Sequence, residues 1–375
     1  MSSKTNTRIV LQSRPKGPIE PDTFKTDKSE RVPTEKDLKD GEVVVRVMWI
    51  SLDASMTTWL KEFRNYLPPV KLGAVMRASA VGKIVASKCP NRKVGQSVEG
   101  TFGWQEYWTG PSKHTEALKA FEGSTERDYV GPLGTSGLTA YFGLKDIGKI
   151  KNGDTVVISG AAGSVGIIVT QLALLLNPKG RVITTAGSPA KCKQLKEMGC
   201  HAAINYKDKD WRKQLGAAMK DEDKSGKKGN GWADVYFDNV GGEMLDFMLG
   251  RLNEFARIVM CGAISDYNSA QPYPIRNYQA LISTKSTMQG FIVFQFAERY
   301  DEGREYLSKL LKDGKLKYEW TVVGDGKDKL KSVEACVDGL QGLYEGRNVG
   351  KTVVKVWDGN MFEYQNDSKK RDSKL

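Results

Sequence analysis

Apolar and polar positions follow two different periods along this chain, and the change between them falls near residue 131. Before it, short β-type runs are separated by turns. Glu42-Val43-Val44-Val45-Arg46-Val47, opened by Asp40-Gly41, predicts a strand, and Ala80-Val81-Gly82-Lys83-Ile84-Val85 predicts a second. The runs Val94 to Val98 and Trp104 to Trp108 continue the series. Beyond residue 131 helical and strand patterns alternate: a helix near Thr139 to Leu144, then strands at 155–158, 181–184, 233–238, 257–261 and 288–293. After residue 297 a charged helical stretch runs to Lys312, and the strands Tyr318 to Val323 and Lys351 to Val356 are expected to rejoin the first region. The expected fold is α/β, a doubly wound parallel sheet (131–296) inserted in a β-rich unit built from 1–130 and 297–375, with a ligand cleft between them. No repeat of solenoid period is present.

The most informative run is Asp154-Thr155-Val156-Val157-Ile158-Ser159-Gly160-Ala161-Ala162-Gly163-Ser164-Val165-Gly166. A strand leads into a glycine turn and then into an apolar stripe at Val165, Ile168, Val169, Leu172, Leu175 and Leu176, which fall on one face of a helix. Gly163 lets a backbone approach a pyrophosphate, Gly166 lets helix and strand pack closely, and the helix N-terminus offers free N–H groups to phosphate. Ala161 stands where the strict G-x-G-x-x-G fingerprint has its first glycine, so the strand before and the helix after carry the reading. The bland alternative is a structural glycine turn.

The next strand decides which dinucleotide is expected. An NAD-type site closes it with a carboxylate for the ribose 2′-hydroxyl, whereas here it runs into Thr184-Thr185-Ala186-Gly187-Ser188. Lys191 and Lys193 follow and Arg181 opens the strand, so hydroxyls and cations await a 2′-phosphate. NADPH is therefore expected over NADH. Lys191, in the first turn after the strand, is the candidate contact. A solvated helix face is the other use for such lysines.

Composition changes the picture little. The 375 residues, 39% hydrophobic, suit two domains, and no apolar run is long enough to cross a bilayer. Met1 to Asn6 is polar and lacks a secretory h-region. Five scattered cysteines without paired spacing fit a reducing compartment. The net charge of +12 sits partly in Lys220 to Gly231 and in Lys369, Lys370, Arg371 and Lys374. Neither cluster is interleaved with aromatics, so nucleic-acid binding has little support, and attraction of anionic cofactor or substrate explains the charge as well. The terminal Ser373-Lys374-Leu375 is the address read by the peroxisomal import receptor, so peroxisomal localisation is expected, with the cytoplasm as the alternative.

Several runs resemble one family. These are Leu72-Gly73-Ala74-Val75-Met76-Arg77, Gly103-Trp104-Gln105-Glu106-Tyr107, Gly137-Leu138-Thr139-Ala140-Tyr141-Phe142-Gly143-Leu144, Tyr236-Phe237-Asp238-Asn239-Val240-Gly241-Gly242, Cys261-Gly262-Ala263-Ile264-Ser265-Asp266-Tyr267-Asn268 and Gln289-Gly290-Phe291-Ile292-Val293. Over roughly residues 8 to 357 the chain resembles the zinc-independent branch of the medium-chain dehydrogenase/reductase superfamily. That branch contains leukotriene B4 12-hydroxydehydrogenase/prostaglandin reductase and the NADPH-dependent alkenal and curcumin double-bond reductases. The resemblance implies a Rossmann domain inserted in a GroES-like catalytic domain, NADPH as cofactor, a homodimer and a small enone or alkenal substrate. It also implies that Gly163, Ser164, Val165 and Gly166 hold the pyrophosphate. Lys191 and Tyr206 would meet the 2′-phosphate, and Asn239 would lie near the ribose. Cys261, Gly262, Ala263, Ile264, Ser265 and Tyr267, with Phe291, Ile292 and Val293, would flank the nicotinamide, and Asn348 would close over it. Tyr267 is the implied donor to the substrate oxygen, with cofactor hydroxyls or water as alternatives. Asn239 equally suits the cap of a turn before Gly241-Gly242, and Tyr206 a packing role.

No metal is expected: the chain has only His114 and His201, in separate segments, and no Cys-x-x-Cys pair. Hydride delivery to the β-carbon of a conjugated carbonyl needs only donors at the carbonyl oxygen and a proton for the α-carbon. The expected activity is NADPH-dependent C=C reduction of α,β-unsaturated aldehydes or ketones. A quinone reductase of the same fold and a non-catalytic NADPH-binding protein are the alternatives. Two departures bear on the substrate. The branch carries Asp-Pro-Tyr-Met-Arg where this chain has Asp53-Ala54-Ser55-Met56-Thr57, and Met-Pro where it has Thr135-Ser136.

Overall fold

The structure, a computed structural model, describes residues 5–222, 226–326 and 330–361; Ser373-Lys374-Leu375 and its basic flank lie outside them. Six parallel strands form one sheet in the order Ala202–Asn205, Arg181–Ala186, Thr155–Ile158, Ala233–Asp238, Leu252–Met260, Thr287–Gly290. Chain order reverses between Thr155–Ile158 and Ala233–Asp238, and in such sheets the crevice beyond the carboxyl ends of those two strands takes the ligand. A second, mostly antiparallel sheet is built on Glu42–Ser51, which pairs with Ala80–Ser87, Tyr107–Pro111 and Lys351–Lys355. The strands Trp320–Val323 and Lys351–Lys355 do return to it, as expected.

Two sequence readings are corrected. The helix Gly166–Leu176 is not a one-sided stripe: Ile167, Thr170 and Gln171 are buried with Ile168, Val169 and Leu172, whereas Leu175 is 40% exposed. A helix apolar all round is one covered from several sides; here Thr135–Phe142 packs on it, and Gln171 exchanges two 2.8 Å hydrogen bonds with the backbone of Lys317. The expected strand at 288–293 stops at Gly290, and Val293 is buried in the core. Leu307 and Leu310 of the helix Tyr300–Lys312 share one apolar cluster with Leu138, Ile158 and Ile168 and with Val81 and Val353 of the second sheet, so this helix lies where the two units meet, and the second sheet resumes at Trp320.

Arg304, on that helix, is the polar rivet between the units. Its buried guanidinium donates to Leu133 O (3.1 Å) and Glu116 (3.3 Å) and pairs with Glu99 on Ser97–Gly100. Burial pushes the Glu99 carboxyl up to about 7, against the pull of Arg304. A raised acid contributes stability below the usual carboxylate range and loses it as pH rises through about 7. Arg304→Met is therefore expected to cost about 3–5 kcal/mol above that value, where it strands an ionised Glu99. The cost should shrink in mild acid, and in an Arg304→Met/Glu99→Gln double variant, as read by thermal unfolding at the two pH values.

Candidate active site

The strands Thr155–Ile158 and Ala233–Asp238 are joined at their ends by one buried carboxylate. Asp238 Oδ1 accepts from Ser159 Oγ and Tyr236 OH (both 2.8 Å) and from the Val240 and Gly241 N–H groups (both 3.0 Å). Its backbone oxygen accepts from Cys261 N (2.9 Å) and Gly262 N (3.0 Å). Asn239 does not cap the Gly241-Gly242 turn, which Asp238 does. Its Nδ2 donates instead to Ser159 O (2.7 Å), holding the start of the glycine turn.

Ala161 in that turn is buried in the core and its N–H donates to Thr185 O (3.0 Å), which explains a methyl where the strict fingerprint has glycine. Gly166 cannot be replaced: a Cβ there would lie 2.7 Å from Ala161 Cα. The helix begins at Gly166, with Ile167 N donating to Gly163 O (3.0 Å) and Ile168 N and Val169 N to Val165 O (3.1 and 3.0 Å), so the positive end of the helix starts at the glycine turn itself. The other unit reaches over the turn, with Gly350 N donating to Ala162 O (2.9 Å) and Tyr318 OH to Ser164 O (3.1 Å). Gly350 has φ +65° and its missing side chain faces the Glu319 backbone, so only glycine permits this approach. Asn348 Nδ2 donates to Gly350 O (3.0 Å) and so braces the same loop.

At the end of the second strand Ser188 caps the helix Pro189–Glu197, accepting from Lys191 N (3.3 Å). Lys191 Nζ donates to Gly346 O (2.8 Å) across the cleft, and Tyr206 packs its hydroxyl against Gly187. Burial and the charge of Lys207 push the Lys191 ammonium below its usual range. Lys207, near enough to act on Lys191, makes with it a cationic spot that an anion relieves, as a 2′-phosphate would. Lys207 was not anticipated, since sequence spacing does not bring it to Lys191. Arg181 is corrected: it lies at the opposite end of its strand, bonded to the carbonyls of Asp221 and Lys227. Lys193 faces solvent beside Glu197.

Beyond the glycine turn lies a cavity of about 540 Å³. Of the residues implied to flank the nicotinamide, Cys261, Gly262, Ala263, Tyr267, Phe291 and Ile292 line it; Met260, Gly290 and Gln295 also line it and were not anticipated. Gly262 leaves room for the Tyr267 hydroxyl, which a Cβ there would meet at 3.2 Å. Burial pushes the Tyr267 phenol and the Cys261 thiol each up to about 12, so both stay neutral at ordinary pH. Ile264, Ser265 and Val293 do not line the cavity. The first two anchor the Tyr267 turn, Ser265 Oγ donating to Val240 O (2.7 Å), and Val293 belongs to the core.

The departures noted at Ser55 and Thr57 are filled from elsewhere in the fold. Thr57 is buried and shares a 2.5 Å hydrogen bond with Tyr344 OH, which lies 2.6 Å from Ala54 O. Tyr66, hydrogen-bonded to Trp59 Nε1 (2.9 Å) and to Ser55, stands edge-on to Phe294 (6.3 Å). Asp53 pairs with the fully buried Lys351. Among the described residues no group of three or more His, Cys, Asp or Glu side chains is placed to hold a metal ion, and no helix is long and apolar enough to cross a membrane.

Comparison with known proteins agrees with this geometry. Residues 7–118 match the family model described as the N-terminal domain of oxidoreductase, and residues 164–312 the one described as zinc-binding dehydrogenase. The NADPH-dependent curcumin reductase of Escherichia coli (strain K12) is 33% identical, over 94% of this chain and 97% of its own. The NADP(+)-dependent 2-alkenal reductase of Nicotiana tabacum is 34% identical, over 84% and 88%. The crystal structure of CurA from Vibrio vulnificus in complex with NADPH superposes with a TM-score of 0.83 at 32% identity, covering 94% of this chain and 99% of that one. The chain belongs to the medium-chain dehydrogenase/reductase superfamily, in the zinc-independent branch of the curcumin, 2-alkenal and prostaglandin reductases.

Proposed function

We propose that this chain is an NADPH-dependent reductase of the C=C bond of α,β-unsaturated aldehydes or ketones. The observation that carries the reading is a neutral phenol, Tyr267, on the wall of a cavity whose lining holds no charged side chain. Gly163, Ser164, Val165 and Gly166 would hold the pyrophosphate; Lys191, Lys207 and Tyr206 the 2′-phosphate; and Cys261, Gly262, Ala263, Phe291 and Ile292 the nicotinamide. When bound, NADPH supplies the hydride for the β-carbon. The Tyr267 hydroxyl donates to the substrate carbonyl oxygen, where negative charge develops, and because it stays protonated it is loaded for that task throughout the neutral range. No charged side chain in the lining competes with that hydrogen bond. The α-carbon proton comes from Tyr267 or from water.

Open edges of the parallel sheet favour a homodimer in the same reading: all four residues of the end strand Thr287–Gly290 are exposed, with Tyr278 and Ile282 exposed beside them. Met288→Pro, which removes an N–H that faces away from the neighbouring strand, is expected to shift sedimentation from dimer to monomer.

NADPH oxidation should be followed with a 2-alkenal, an enone, a quinone and a saturated aldehyde. Alkenal or enone turnover with the saturated aldehyde inert is expected, and quinone-only turnover would overturn the reading. Tyr267→Phe is expected to lower kcat by about 10²–10³-fold with NADPH affinity unchanged. Loss of the wild-type rate through ionisation of Tyr267 should not set in until pH nears about 12. Lys191→Met should weaken NADPH by about 1.5–3 kcal/mol, on the order of ten- to a hundredfold, while leaving NADH binding nearly unaltered in calorimetric titration.

A further inference from the structure

Tyr267 sits at the end of a four-residue helix, Ile264–Tyr267, too short to stabilise itself. Its first residues are tied down within the parallel-sheet unit: Ile264 N donates to Asn239 O (3.4 Å), Ser265 N to Val240 O (3.1 Å) and Ser265 Oγ to the same oxygen (2.7 Å). The last carbonyl, that of Tyr267 itself, is bonded from the other unit: Lys61 Nζ donates to it at 2.7 Å. A cation at the carbonyl end of a helical turn satisfies an orphan acceptor and the local dipole together.

The wall that presents Lys61 is rigid. Lys61 directly follows the turn Ala54–Leu60, whose Met56, Thr57, Trp59 and Leu60 are buried. That turn is braced at one end by Tyr344 on Ala54 O (2.6 Å) and at the other by Arg14, which donates to Leu60 O (2.7 Å). Trp59 O accepts from Val70 N (2.8 Å), and Asp53 just before the turn is paired with Lys351. The adjacent carboxylate, Glu62, is taken by Arg14 at 2.8 Å. A part-buried ammonium on a fixed wall is thus spent on one backbone carbonyl, that of the residue whose side chain lines the cavity.

We propose that Lys61 is the positioning residue for Tyr267, holding the phenol at the cavity by clamping its carbonyl across the two units. The proposal deepens the functional reading above and rests on Tyr267 being the donor. Lys61 touches neither substrate nor cofactor in this role; it acts through Tyr267 and couples the relation of the two units to the aim of the hydroxyl.

The test compares Lys61→Met, Lys61→Arg, Tyr267→Phe and the Lys61→Met/Tyr267→Phe double variant, by NADPH-dependent turnover of a 2-alkenal and by amide hydrogen exchange across residues 264–276. Lys61→Met is expected to lower kcat by about ten- to a hundredfold, the scale of a misaimed catalytic group, with KM for NADPH unchanged. Lys61→Arg should recover most of the loss, the double variant should be no slower than Tyr267→Phe, and exchange in 264–276 should rise in Lys61→Met. A wild-type rate in Lys61→Met beside an impaired Tyr267→Phe, or losses that multiply in the double variant, overturns the positioning role and leaves Tyr267 as donor. If the wild type turns over no 2-alkenal, or Tyr267→Phe is fully active, the functional reading fails. Exchange alone then decides: a rise in Lys61→Met keeps Lys61 as the clamp of this turn, and no rise overturns it.

Discussion

Both halves of the cleft hang on residue 238. The Asp238 side chain gathers Ser159, Tyr236, Val240 and Gly241, which fixes the glycine turn to the strand beside it, and its backbone oxygen gathers Cys261 and Gly262, which opens the cavity wall. Burial pushes this carboxyl above its usual range while the four donors pull it down. Removing such a group, or leaving it without partners, costs several kcal/mol, so the glycine turn and the cavity wall cannot be disturbed independently. The sheet's reversal of order makes the crevice; Asp238 makes its two edges register.

The second unit acts on that crevice through few but specific contacts. Gly350 on Ala162, Tyr318 on Ser164, Lys191 on Gly346 and Lys61 on Tyr267 all cross between the units at the site, whereas Arg304 and its carboxylates hold them together at a distance from it. Most of the contacts at the site use a backbone oxygen as acceptor. Backbone acceptors keep geometry while leaving side chains free for ligands, which suits a cleft that must be both closed and chemically open. Tyr66 adds an aromatic contact, edge-on to Trp59 (6.4 Å) and to Phe294 (6.3 Å).

Much of this was legible in residue order because it is local. Strand, glycine turn and helix are consecutive, so Gly163 and Gly166 could be named from spacing, with Ser164 and Val165 added by the family resemblance, and the missing carboxylate after Arg181–Ala186 is visible in residue order. Cys261 to Tyr267 and Phe291-Ile292 came from family-like runs, and the cavity gathers most of them. Other readings failed where three-dimensional neighbours outvote periodicity. Leu175 lies on the expected stripe yet faces solvent, Val293 was drawn into the core by the turn after Gly290, and Arg181 lies at the wrong end of its strand because a strand several residues long separates its ends by many ångströms.

By itself, then, the sequence determined the α/β class, the inserted parallel sheet and the place of the glycine turn, since each depends on hydrophobic period and on glycines adjacent in the chain. Only tertiary structure decided which distant groups complete the site. Lys207 presses on Lys191, Tyr66 and Tyr344 fill the space left by Ser55 and Thr57, and Lys61 meets Tyr267 from 206 residues away in the chain. Contacts between residues so far apart carry no periodic signature; they arise from how two sheets close on one another, and that closure is fixed by buried packing and by paired charges rather than by any local run of residues.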